Sequence, residues 1–96
     1  MPAPFEIRVL TINTTTWTPV TVPFDCSSLA VKNRDQSNAV RMRTNSGDAN
    51  TEDLIGPGVE QSLALPFHRY RFKSGTQPLW LLATSGTGPV IAKFLV

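Results

Sequence analysis

Few side chains in this 96-residue chain have the types that chemistry needs, and they are scattered. Cys26 is the only cysteine and His68 the only histidine, the pair a thiol nucleophile would require, because a thiolate forms near neutral pH only beside a proton acceptor or a cation. Nothing in their spacing joins them. Cys26, just ahead of an apolar segment, reads as a small buried side chain, and His68, in an aromatic segment, reads as surface or core filler. Asp25, Asp35, Glu52 and Asp53 could supply a carboxylate pair for acid and base work, but all lie in turn-rich stretches with no flanking signature. Asp48, Asn50 and Glu52 resemble the start of a calcium loop, yet its sixth place holds Asp53 instead of glycine and its twelfth holds Val59 instead of a bidentate carboxylate. A capped polar loop is the expectation there. Gly56 and Gly58 bracket Pro57, and Gly86 and Gly88 lead into a strand, so both clusters read as turns and not as phosphate loops, which need a following helix. Asn13-Thr14-Thr15 fits the glycosylation pattern but has no secretion signal ahead of it. The residues therefore predict no catalytic site, no cofactor and no metal.

One cluster invites a different chemistry. Arg69-Tyr70-Arg71-Phe72-Lys73, with Arg41 and Arg43, interleaves cations with aromatic rings, as proteins do when they grip single-stranded nucleic acid. On a strand, however, Arg69, Arg71 and Lys73 share one face while Tyr70 and Phe72 share the other. The rings are then expected in the core and only a basic stripe outside, which argues against nucleic acid as the partner.

The elements that must position these residues read as strands. Eight prolines and six glycines interrupt the chain too often for ordinary helices. Phe5-Glu6-Ile7-Arg8-Val9 alternates at period two, which predicts Phe5, Ile7 and Val9 facing the core and Glu6 and Arg8 facing water. Trp17 to Phe24 is rich in Thr and Val, but Pro19 and Pro23 cannot donate to a ladder, so an edge strand is expected. Segments 28–33 and 38–44 flank Arg34-Asp35-Gln36-Ser37 as a hairpin would, with Val40 and Met42 inward. Asp48 can cap one helical turn that Gly56 stops, and beyond Pro57 the run from Val59 to Leu65 reads as a strand with Gln61 spoiling its pattern.

The last two strands, 79–84 and 90–96, surround Ser85-Gly86-Thr87-Gly88 and read as a second hairpin. Both arms are apolar on both faces, so one face is expected to meet the core and the other something else. A partner chain is the natural cover, and Trp80, Leu82, Ile91 and Leu95 are the candidate interface residues, with Arg69 and Arg71 as a basic addition. The expected architecture is an all-β, two-sheet antiparallel sandwich, jelly-roll or Ig-like, of about seven or eight short strands. It forms one domain over 1–96, with at most one helical turn near 48–54 and a short extended arm at 1–4.

Composition agrees. A 41% hydrophobic share with 17% charged residues describes a globular chain, and at this size folding removes roughly two thirds of the unfolded surface from water. A net charge of +2 is too small to draw nucleic acid or an anionic membrane unaided. No run approaches the roughly 20 apolar residues of a membrane span, and a lone cysteine fits a reducing compartment.

Three passages carry a resemblance to a known group: the hairpin-like Leu29 to Thr44, the Leu54-Ile55-Gly56-Pro57-Gly58 turn before an apolar strand, and the ending from Leu79 to Gly88. In this order of segments the chain resembles the small β-sandwich virion proteins of tailed bacteriophages, the capsid decoration or cement group. The likeness spans most of the chain and assigns no binding residue to a numbered position. It implies a protein made in the host cytoplasm and found in the virion. There it would be homo-oligomeric, as a trimer or lattice-bound, and would hold a major capsid protein or another virion protein without doing chemistry. A tail, adaptor or baseplate component shares this outline, and so does a carbohydrate- or nucleic-acid-binding sandwich using Trp17, Trp80 or the basic stripe.

Overall fold

Period-two segments separated by glycine, proline and Asx turns become strands of three to eight residues in the computed structural model, which describes residues 5–64, 72–86 and 88–96. The strands are β1 (Phe5–Ile12), β2 (Thr18–Val20), β3 (Ser28–Asn33), β4 (Val40–Arg43), β5 (Asp53–Ile55), β6 (Glu60–Ala64), β7 (Leu79–Ala83) and β8 (Gly88–Leu95). Two four-stranded antiparallel sheets result, ordered β1-β8-β3-β6 and β2-β7-β4-β5. Outermost strands pair with outermost, β1 with β8, then β2 with β7, β3 with β6 and β4 with β5. That nesting is a long antiparallel ribbon rolled on itself, a jelly roll, and it decides between the two sandwich types the sequence allowed.

The core lies between the sheets. Ile12, Leu29, Val31 and Phe94 of the first sheet meet Val20, Ile55 and Leu81 of the second, and all are buried. Cys26 is buried as expected, beside the isolated bridge it forms with Phe72, and Phe72 packs against the core. β2 is an edge strand, as Pro19 requires. Asp48 caps a 3-10 turn over Ala49–Thr51 by accepting from the Asn50 N–H, and Gly58 and Gly86 take φ of 71° and 64°, the left-handed conformation that favours glycine. No helix among the described residues is long and apolar enough to cross a membrane.

The structure corrects four local expectations. β1 has the right period and the opposite phase: Phe5, Ile7 and Val9 are 53%, 53% and 64% exposed, while Leu10 packs on the core and Ile12 is fully buried. The strand runs on to Ile12, and burial there sets the parity of every residue before it. Glu6 and Arg8 thus share the inward side with Leu10 and Ile12. Neither expected hairpin forms. β3 and β4 lie in different sheets, and so do β7 and β8, because each connection crosses from one sheet to the other, about 10 Å away. Leu54 and Ile55 belong to a short strand, β5, and not to the helical turn. The 1–4 arm, Leu65 and the Phe67 to Arg71 segment, with His68, Arg69 and Arg71, lie outside the described residues.

Buried Asn33 fastens the β3 to β4 crossing. Its Nδ2 group donates to the carbonyls of Asn38 (2.8 Å), Ile55 (3.1 Å) and Gly56 (3.1 Å), and its Oδ1 accepts from the Asp35 N–H (3.0 Å). Asp35 then accepts from the Ser37 and Asn38 N–H groups, which closes the turn and holds its carboxyl below the usual range.

Candidate functional site

The outer face of each sheet is where a partner could meet this chain, and the two faces differ. On the second sheet, Arg41 and Arg43 stand two apart on β4 and so point the same way, opposite Leu82 and Trp80 of β7. Both reach Glu52, Arg41 Nη2 at 2.7 Å and Arg43 Nε at 2.8 Å, and Arg43 Nη1 also donates to the Ser46 carbonyl at 2.9 Å. Trp17 completes the group, with the Arg43 and Arg41 guanidinium carbons 4.5 Å and 5.3 Å from its ring centre. Hydrogen bonds from Arg41 and then Arg43 hold the Glu52 carboxyl below its ordinary range, and Glu52 in turn raises Arg41. Leu82, the cross-strand partner of Arg41, is 6% exposed in the single chain. The chain itself thus covers the β7 part of this face, leaving Trp80 half-buried and Leu82 with little area to offer a partner, while Leu54 of β5, opposite Arg41, stays 56% exposed at its edge.

The outer face of the first sheet is open. Pairing lays its outward residues in rows: Phe5, Leu95 and Ser28; then Ile7, Lys93, Ala30 and Ser62; then Val9, Ile91, Lys32 and Glu60. Phe5, Ile7, Val9 and Leu95 form an exposed apolar ridge at the β1 side, Ile91 is half-buried, and the small residues of β3 and β6 leave a shallow depression of about 320 Å³ beside the ridge. An ion pair between Lys93 Nζ and Glu60 Oε1, 2.7 Å, crosses the same face.

The groups nominated for chemistry have structural partners. Asp48 caps the 3-10 turn, Glu52 binds two arginines, and Asp53 accepts from the Leu54 N–H. Asp25 accepts from the Ser74 N–H at 2.8 Å and lies 3.7 Å from Lys73. Among the described residues no three His, Cys, Asp or Glu side chains gather as metal ligands would. Ile91 and Leu95 fall on the open face as interface candidates, joined by Phe5, Ile7 and Val9, which the assumed phase of β1 had placed inside. The Trp17, Arg41, Arg43 and Glu52 cluster was also missed, although Arg41 and Arg43 at a spacing of two announce a shared face.

Compared with protein-family models, curated proteins and solved structures, the chain matches none. What it does must be argued from its surfaces.

Proposed function

We propose that this chain is a non-enzymatic structural virion protein, a capsid decoration or cement protein that binds a head shell and stabilises it. The observation that carries this is the open apolar face of the first sheet, where Phe5, Ile7, Val9 and Leu95 lie exposed side by side on two paired strands. Apolar side chains grouped this way on a small domain favour association, and association by area is how a cement protein works. The jelly roll is compatible but not decisive, since lectins and cupins share it with viral capsid domains. A tail or adaptor position would use the same face. A sugar-binding role is less favoured, because the ring of Trp17 carries two guanidinium groups.

The test is mass spectrometry of purified particles from cells that express the chain. Recovery in stoichiometric amounts, with heads that withstand heating better than particles lacking it, is the expected result. Absence from washed virions would overturn the proposal.

A further inference from the structure

β1 is an edge strand, and among the described residues no strand pairs with its far side. The edges of the second sheet, β2 and β5, are three residues each, and β2 contains Pro19. β1 is eight residues long, has neither proline nor lysine, and runs against β8 in unbroken register from Phe5 opposite Leu95 to Ile12 opposite Gly88, without a bulge. Proteins blunt such edges with shortness, prolines, bulges or charges. Here only Glu6 and Arg8 are available, and their order selects a partner instead of refusing every one.

In an antiparallel pair, residues opposite each other share a face, so two copies of β1 can meet about a twofold axis only in registers that keep the faces aligned. With the axis at Ile7, Ile7 lies opposite Ile7 of the second copy, Phe5 opposite Val9, and Glu6 opposite Arg8 in both directions. Moving the axis to Glu6 sets two carboxylates against each other, moving it to Arg8 sets two guanidinium groups together, and moving it to Val9 puts Arg8 opposite Leu10. Like charges facing across a ladder are unfavourable. Only the Ile7 register joins apolar to apolar and cation to anion. Glu6 and Arg8 already bond within one chain, and both remain well exposed.

We infer that two copies of this chain associate in solution through β1, antiparallel about a twofold axis at Ile7. The two first sheets then become one, with the exposed ridges of Phe5, Ile7 and Val9 side by side. This adds to the proposed function a way for copies to meet, and it stands whether or not a head shell is the further partner.

Sedimentation of the purified full chain over a range of concentrations tests it, with circular dichroism to check folding. The wild type is expected to dimerise. Glu6→Arg and Arg8→Glu, each alone, turn both charge contacts repulsive and weaken the dimer about tenfold or more. An equimolar mixture of the two recovers it, because one chain then offers two cations and the other two carboxylates. Charge pairing inside one chain cannot produce that recovery. Independently, Ile7→Cys oxidises to a crosslinked dimer, whereas Val9→Cys, whose copies lie about 13 Å apart in this register, does not. A wild type that stays monomeric, a trimer indifferent to both swaps, a mixture no tighter than its parts, or Val9→Cys crosslinking as readily as Ile7→Cys would each overturn the inference.

Discussion

Asn33 turns its buried amide onto four backbone groups where β3 leaves its sheet, donating to three carbonyls and accepting from one N–H. Asn33→Ala removes the donors for three carbonyls, so unfolding by urea is expected to show a loss of about 3 kcal/mol. Asn33→Asp, which turns an acceptor toward those carbonyls, should cost more. The second polar node gives a pH dependence. The Glu52 carboxyl lies below its ordinary value of 4.5 in the folded chain, so the stabilisation from its arginine pair is fully present above that pH. It is lost as pH falls through the lower, folded value, and Asp35 adds a loss of the same sign below its own ordinary value of 3.8. Melting temperature followed from pH 6 to pH 2.5 should therefore drop on the acid side, and Glu52→Gln should flatten the drop while lowering stability at neutral pH. An unchanged acid limb in Glu52→Gln would assign the drop to other carboxylates. Cys26 was legible as a buried residue from its type alone, whereas the partners of Glu52 were not, since they depend on how β4 approaches the capped turn.

At the scale of elements, β1 shows what alternation carries and what it leaves open. Its period was readable from Phe5 to Val9, but the same letters serve either phase, and the deciding residue, Ile12, lies beyond that window. Ile12→Ala is expected to destabilise by about 3 kcal/mol, as loss of a buried branched side chain does, while Val9→Ala in dilute protein should stay within about 0.5 kcal/mol. Equal losses at the two positions would contradict the observed phase. β7 and β8 were read correctly as strands, and each is interior in its sheet, with paired neighbours on both edges and the core beneath one face. Segment type was visible because turns and prolines bound each strand. Pairing was not, because a short polar connection can close a hairpin or cross between sheets with the same residues.

For the whole molecule, the contrast between two outer faces organises the functional proposal. One face is partly covered by Trp17, Arg41 and Arg43 and keeps Leu54 exposed at its edge, and the other leaves Phe5, Ile7, Val9 and Leu95 together in water. If the open face is the contact surface, Leu95→Lys, on β8 and away from the β1 edge, should reduce retention on particles at least about tenfold while leaving the melting temperature within a few degrees, read by co-sedimentation and calorimetry. A variant that binds as well as the wild type would move the contact elsewhere. By itself the sequence determined that this chain is all-β, where its turns fall, and that Asp48 caps a short helical turn, because these follow from local periodicity and from the backbone chemistry of proline, glycine and Asx residues. Only the tertiary structure decided that the strands roll into a jelly roll, that β1 turns its apolar side outward, and that Leu82 is covered by its own chain. Each of these depends on which sheet a strand joins and which neighbour lies over it, and a period of two is the same on either side of a sheet.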